Sequence, residues 1–142
     1  MKNKADILII DDDRDLVNSM KIILESRALN VRTAGDGKAG YESIRNKTPD
    51  LIILDVMMAT DTEGFDLAYK LRRESVYQDI PILMVTSFPK HMAEQGPEKF
   101  QHIMGENWPV TQFLEKPIDP DDLLSAVMNL LSEADGHDPG FF

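Results

Sequence analysis

Three short runs of consecutive apolar residues constrain most strongly how this chain can fold. They cover residues 7–10, 51–54 and 81–85, and each is followed at once by polar residues. An unbroken apolar run of this length, rich in β-branched side chains, is typical of a strand that is buried on both faces of a sheet. The sequence therefore predicts a sheet that is covered on both sides.

Amphipathic segments lie between and after these runs. Apolar residues recur every three or four positions over 16–28, 38–46, 64–73 and 120–131. That spacing puts them on one face of a helix, so each segment is predicted to be helical. The last helix has a typical start, because Asp119 can act as the N-cap and Pro120 suits the first turn.

Two further strands are predicted over 30–34 and 110–114, which completes an alternation of strands and helices. Parallel strands need crossover connections, and helices supply them. The expected fold class is therefore α/β, with one parallel sheet and helices on both of its faces.

The composition argues against several classes of function. With 42% hydrophobic and 28% charged residues among 142, the chain is typical of a soluble single domain. It has no cysteine, which excludes disulfides and thiolate metal sites. The formal net charge of −10 would repel phosphates, so we expect no direct nucleic-acid binding. No apolar run approaches the roughly 20 residues that span a bilayer, so we expect a cytoplasmic protein without membrane insertion.

Polar side chains stand where the buried strands end. They are Asp11, Asp12 and Asp13 after the first, Asp55 after the third, Thr86 after the fourth and Lys116 after the fifth. The carboxyl ends of parallel strands share one edge of the sheet, and neighbouring strands lie about 4.8 Å apart, so these groups can converge. Crowded carboxylates repel one another, and Mg²⁺ accepts such oxygen ligands. A hydroxyl and an ammonium beside them suit a phosphoryl group in transfer.

Each of these features also has an ordinary structural explanation. Asp13 and Thr86 could cap helices, and Lys116 could be a solvated loop residue. What favours a functional site is their ordered occurrence at successive strand ends.

This ordered set resembles the receiver domain of two-component response regulators. The matching segments are 7–13, 54–58, 64–65, 84–87 and 113–117. The resemblance implies a single doubly wound, flavodoxin-like sheet of five parallel strands in the order 2-1-3-4-5. It also implies a receiver domain over residues 5–133, followed by a flexible tail over 134–142.

The resemblance assigns the phosphoacceptor and the metal ligands. Asp55 would take a phosphoryl group from the phosphohistidine of a sensor histidine kinase or a phosphotransfer protein. Asp12 and Asp55 would bind Mg²⁺ directly, together with the backbone carbonyl of Met57. Asp11 would act on the ion through water.

Three further residues would respond to the phosphoryl group. Thr86 would hydrogen-bond its oxygens, and Lys116 would pair with it, next to a cis peptide bond to Pro117. Phe113 would be the aromatic switch that turns inward when Thr86 moves, although an ordinary core aromatic is the alternative.

The function implied is that of a signalling switch rather than an enzyme. Phosphorylation would change a surface that binds an unknown downstream protein, and homodimerisation is left open. We expect a stand-alone receiver with no DNA-binding output domain. The chain departs from the common family pattern at Ala59, where a proline is usual, and in segment 86–116, which is longer than usual and is expected to hold a helix near 98–104.

Two alternatives remain at this point. A phosphohydrolase of the haloacid-dehalogenase type also uses a strand-end aspartate, and Asp11 with Asp13 has the required spacing. In that case Asp55 would have no role and a cap domain would be missing. The other alternative is a degenerate receiver that binds partners without being phosphorylated.

Overall fold

The computed structural model describes residues 4–55, 63–86 and 110–134. These residues form β1 (Asp6–Ile10), α1 (Arg14–Glu25), β2 (Asn30–Ala34), α2 (Gly37–Asn46), β3 (Leu51–Leu54), α3 (Glu63–Arg73), β4 (Ile82–Thr86), β5 (Gln112–Glu115) and α4 (Pro120–Ala134). All neighbouring strands pair in parallel, in the order β2-β1-β3-β4-β5. The predicted fold class and strand order are confirmed.

The core has two layers, one on each face of the sheet. Successive side chains of a strand point to opposite faces, so each buried strand contributes to both layers. One layer joins Leu8, Ile10, Ile52, Leu54, Ile82 and Met84 to residues of α2 and α3. The other joins Ile7, Ile9, Ile53, Leu83 and Val85 to residues of α1 and α4. The unbroken apolar runs of the sequence are therefore explained by helices on both faces.

The last strand differs from its predicted bounds. It covers Gln112–Glu115 rather than 110–114, because its pairing with β4 begins at Gln112. Val110 is buried but lies outside the ladder. Apolar character therefore misplaced this strand by two residues at its start, since hydrogen bonding to β4 defines its bounds. The helix predicted near 98–104 and the tail beyond residue 134 lie outside the described residues.

An ion pair between a buried aspartate and a half-buried arginine, which the sequence did not predict, lies at the amino end of the sheet. Asp6 is 4% exposed, and its Oδ2 lies 2.6 Å from Nη2 of Arg32. The same guanidinium donates to the carbonyls of Ser43 and Lys47, at 3.0 and 2.7 Å. This pair ties β1 and β2 to the end of α2, and it lies away from the strand ends that carry Asp11 and Asp55.

No helix in the described part of the chain has both the length and the apolar character to cross a bilayer.

Candidate magnesium and phosphoryl-transfer site

The two central strands bring Asp11 and Asp55 side by side. Ile10 of β1 is paired with Leu54 of β3, and the next residue of each strand is the aspartate. The backbone N–H of Asp55 donates to the carbonyl of Ile10 at 2.9 Å, which extends the ladder by one residue. Asp11 and Asp55 are 4% and 3% exposed, so two carboxylates are buried at this edge of the sheet.

Asp12 completes a cluster of three carboxylates with these two. Each of Asp11, Asp12 and Asp55 offers one oxygen, and these oxygens all lie within 4.8 Å of one another. Asp12 is exposed, whereas the other two are buried, so the cluster opens to solvent on one side. Such a set of hard oxygen donors suits a cation that keeps several waters, as Mg²⁺ does.

Asp13 has a different role, which is to start α1. Its Oδ1 accepts a hydrogen bond from the N–H of Leu16 at 3.1 Å, as an N-cap does. Its own N–H donates to Oδ1 of Asp11 at 2.9 Å. The start of the helix thus fixes one oxygen of Asp11, and the capping explanation of Asp13 is confirmed.

Lys116 bridges the two buried carboxylates. Its Nζ lies 3.4 Å from Oδ2 of Asp11 and 3.4 Å from Oδ2 of Asp55, and its side chain is 19% exposed. The Lys116–Pro117 peptide bond is cis, as the resemblance implied. The sequence placed Lys116 at a strand end, but nothing in the sequence showed that its ammonium would contact both aspartates.

The carboxyl group of Asp11 has an unusual electrostatic environment. Burial raises its pKa to about 6, and the negative charge of Asp55 adds to that increase. The hydrogen bond from Asp13 and the positive charge of Lys116 act in the opposite direction without cancelling it. Oδ2 is buried and accepts no hydrogen bond from the described residues, although the ammonium of Lys116 lies at ion-pair distance.

This oxygen provides a direct test of whether the site fits a cation. A buried carboxylate oxygen without a hydrogen bond is costly, and a divalent cation or its bound water would satisfy it. Asp12 and Asp55 supply further oxygens within the same 4.8 Å. The donor set of Asp11, Asp12 and Asp55 therefore fits Mg²⁺.

The structure describes the other predicted site residues only in part. Thr86 is the last residue of β4 and is paired with Glu115, so its backbone lies at the same edge of the sheet, but its side chain is not described. Met57 lies outside the described residues. Phe113 is paired with Met84 and is half-buried, and it packs on the core layer formed with α2 and α3. Its role as a switch stays a prediction.

With this geometry established, comparison with known proteins identifies the class. The family model described as "Response regulator receiver domain" matches residues 7–128. The chain belongs to the response regulator receiver domain family. This match and the strand order confirm the family that the polar motifs at the strand ends indicated.

Individual relatives support the same assignment. The chain is 36% identical over 129 residues to the "DNA-binding dual master transcriptional regulator RpaA" of Synechocystis, which covers 91% of this chain and 50% of that protein. It is similar to a solved putative response regulator from Chloroflexus aurantiacus, with a TM-score of 0.77 and 28% identity over 92% of this chain and 99% of the other. A CheY-like receiver domain protein from Methanospirillum hungatei gives a TM-score of 0.76 and 27% identity, over 94% and 98% of the two chains.

A fourth similar protein is of a different kind. The "Hybrid signal transduction histidine kinase D" of Dictyostelium discoideum is 31% identical over 130 residues, which is 92% of this chain and 8% of that protein. The chain spans about half the length of the curated regulator that it matches at 36% identity.

Proposed function

We propose that this chain is a phosphoacceptor switch in which Asp55 receives a phosphoryl group from a phosphohistidine. The observation that carries the proposal is the position of Asp55. It is 3% exposed, its Oδ2 lies 3.4 Å from Nζ of Lys116, and one of its oxygens lies within 4.8 Å of oxygens from Asp11 and Asp12. The proposed nucleophile, the ammonium of Lys116 and the proposed metal ligands thus lie at one edge of the sheet.

In the proposed reaction, a carboxylate oxygen of Asp55 attacks the phosphorus atom of the phosphohistidine. A bond forms between that oxygen and phosphorus, and the bond between phosphorus and the imidazole nitrogen breaks. The electron pair of the broken bond stays on the imidazole, which takes a proton from solvent. The product is an acyl phosphate on Asp55 and a free histidine on the donor.

The residues around Asp55 deal with the charge of this reaction. Lys116 is held within 3.4 Å of the nucleophile, so its ammonium can pair with the incoming phosphoryl oxygens without a long rearrangement. Mg²⁺, when bound by Asp12 and Asp55, would supply further positive charge to those oxygens. Thr86 is proposed to donate its hydroxyl to the phosphoryl group, and the Met57 carbonyl is proposed as a ligand.

The proposed partners follow from this chemistry. The donor is a sensor histidine kinase or a phosphotransfer protein, and the recipient of the signal is a protein that recognises the phosphorylated form. We propose a switch in the cytoplasm rather than an enzyme with general substrates. Direct contact of this chain with nucleic acid is not part of the proposal, because its formal net charge is −10.

Labelling with a small phosphodonor tests the proposal. Purified protein is incubated with radiolabelled acetyl phosphate, with Mg²⁺ or with EDTA, and label on the protein is counted. We expect label that requires Mg²⁺, is lost in Asp55→Asn and is strongly reduced in Asp12→Asn. Asp15→Asn is the matched control, because Asp15 is an exposed acid of α1 outside the cluster and its variant should label normally.

Other outcomes would separate the alternatives. Label that persists in Asp55→Asn would refute the assignment of the nucleophile. A folded, Mg²⁺-binding protein that never takes label, even from candidate kinases, would instead be a degenerate receiver. Steady hydrolysis of general phosphate esters would favour a phosphohydrolase, but the use of Asp13 as an N-cap argues against that arrangement.

A further inference from the structure

The position of Lys116 depends on the least buried strand of the site. β5 has four residues, of which Gln112 and Glu115 are exposed and Phe113 and Leu114 are half-buried. The carboxylates, by contrast, follow β1 and β3, whose residues are all buried. Apolar burial therefore fixes Asp11 and Asp55 firmly, but it gives β5 a much weaker preference for one register.

A change of register in β5 would remove Lys116 from the site. A slip by two residues keeps the same side chains on the same faces, and it moves every residue by about 6.6 Å along the strand. Nζ of Lys116 now lies 3.4 Å from each buried aspartate, so a displacement of that size would break both contacts. Features other than burial therefore matter for the register of β5 on β4.

Thr111, which directly precedes β5, makes a reciprocal pair of hydrogen bonds with the first residue of β4. Its N–H donates to the carbonyl of Ile82 at 2.8 Å, and its Oγ1 accepts from the N–H of Ile82 at 3.0 Å. Ile82 is fully buried, so its N–H needs a partner from the protein. The two hydrogen bonds together favour the alignment of Thr111 with Ile82, because a slip of β5 would break both of them.

Arg72, at the end of α3, is joined to the same residue. Its Nη1 donates to the carbonyls of Gln78 and Ile80, at 3.0 and 2.8 Å, and its Nη2 lies 3.5 Å from Oγ1 of Thr111. The guanidinium therefore connects the segment that leads into β4 with the residue that leads into β5. Both strands enter the sheet from this common point.

We propose that Thr111, supported by Arg72, is a positioning residue for phosphoryl transfer: it sets the register of β5 on β4 and thereby places Lys116 between Asp11 and Asp55. The inference rests on the proposed function of that site. The proposal predicts a different result from a general loss of stability, because the proposed magnesium ligands follow β1 and β3 rather than β5. Loss of the Thr111 hydroxyl should displace the ammonium and leave the carboxylates in place.

Two readouts follow from a displaced ammonium. The rate of Asp55 phosphorylation should fall, because Lys116 would no longer meet the phosphoryl oxygens. Mg²⁺ should bind more tightly, because a positive charge within 3.4 Å of two carboxylates opposes a cation, and its departure removes that opposition. The second readout needs no phosphorylation, so it remains available if the proposed function is wrong.

The experiment compares Thr111→Val with Thr111→Ser and with Thr33→Val. Valine has nearly the shape of threonine without the hydroxyl, and serine retains the hydroxyl. Thr33 is an exposed threonine of β2, the strand at the other side of the sheet, so Thr33→Val is a matched control. Mg²⁺ affinity is measured by calorimetry and phosphorylation by acetyl phosphate at saturating Mg²⁺, with circular dichroism to verify folding.

We expect Thr111→Val to label on the order of tenfold more slowly or worse. A displacement of only about 1 Å near reacting atoms can cost a hundredfold in rate, and a slip of β5 moves Lys116 by several times that distance. It should also bind Mg²⁺ more tightly, in the direction of Lys116→Ala. In the Lys116→Ala background, the same substitution should change Mg²⁺ affinity no further. Thr111→Ser and Thr33→Val should behave like the unmodified protein.

Several results would overturn the proposal. One is a Thr111→Val protein with a normal labelling rate and normal Mg²⁺ affinity, and another is a Thr111→Val protein that binds Mg²⁺ more weakly. A third is an equal effect of Thr111→Val on Mg²⁺ affinity in the Lys116→Ala background. A fourth is a Thr111→Ser protein that is as impaired as the valine variant. If Thr111→Val does not fold, Arg72→Gln should give smaller changes in the same directions, and their absence would count equally against it. An unmodified protein that takes no label refutes the proposed function, and the Mg²⁺ comparison then decides the positioning role alone.

Discussion

Replacing Asp11 with asparagine should stabilise the metal-free protein at neutral and alkaline pH. The buried carboxyl of Asp11 has its pKa raised from 3.8 to about 6, chiefly by burial. Its Oδ2 accepts no hydrogen bond from the described residues. Asparagine has nearly the same size and carries no charge, so the variant removes the cost of ionising this group in the folded state.

The magnitude follows from the difference between the two states. In the unfolded chain the group ionises near 3.8, whereas in the folded chain it holds its proton up to about 6. The folded state therefore binds the proton more tightly, and stability is lost as the pH rises from about 4 and the loss is complete above about 7. A shift of about two units corresponds to at most about 3 kcal/mol in the free energy of unfolding.

The assay is urea unfolding in EDTA at pH 5 and at pH 8, for the unmodified protein and for Asp11→Asn. Part of the cost is already present at pH 5, so the advantage of the variant should grow by about 1 kcal/mol between the two pH values. Asp15→Asn is the control. Asp15 is an exposed acid in the first turn of α1, where its charge favours the helix, so its loss should destabilise slightly.

Magnesium provides an independent check on the same reasoning. An ion that binds the folded state stabilises it, by about 2.7 kcal/mol at a hundred times its dissociation constant. Since the ion would interact with ionised Asp11, its addition should narrow the gap between the unmodified protein and Asp11→Asn. An advantage of the variant that is absent, or that stays constant from pH 5 to pH 8, would refute the account of Asp11.

Three further substitutions test a close packing contact, a strained backbone position and a helix cap. Gly40→Ala should lower the free energy of unfolding by about 1–3 kcal/mol in urea titrations, because a Cβ on this α2 residue would lie 2.5 Å from Cδ1 of the fully buried Ile10. Ala28→Gly should raise the melting temperature, because Ala28 has a φ of 62° and glycine adopts this conformation without strain. The gain in the free energy of unfolding should be up to about 1 kcal/mol. The control Ala39→Gly lies within α2 and should lower the melting temperature. Asp119→Ala should cost about 1 kcal/mol in the same titrations, because Oδ1 of Asp119 accepts from two N–H groups of α4.

Most of the fold could be predicted from the sequence because the central strands are unusually apolar. The runs 7–10 and 51–54, which make up most of β1 and all of β3, are apolar at every position, as expected for strands buried on both faces. β5 was harder, because its bounds depend on hydrogen bonds to β4 that no local pattern encodes. Its start was therefore predicted two residues too early, at the buried Val110.

The sequence predicted which residues form the candidate site, but it did not predict the electrostatic contacts between them. Strand ends place Asp11, Asp55 and Lys116 at one edge of the sheet in any parallel fold with this order. Which groups touch depends on side-chain directions, so the contact of Lys116 with both carboxylates came only from the structure. The same holds for the ion pair of Asp6 with Arg32, whose members are separated by a whole helix along the chain.

Under the proposed function, the division of the site between strands lets one edge of the sheet serve both an unphosphorylated and a phosphorylated state. The two buried carboxylates follow central strands that are buried throughout, so their positions can persist while the charge between them changes. The ammonium that neutralises them follows a half-buried strand, which can adjust at lower cost. In the resting state Lys116 offsets the repulsion between Asp11 and Asp55, and a phosphoryl group would draw the same ammonium to new oxygens. β5 also carries Phe113, which packs on the core layer formed with α2 and α3, so the strand that leads to Lys116 also contacts the core.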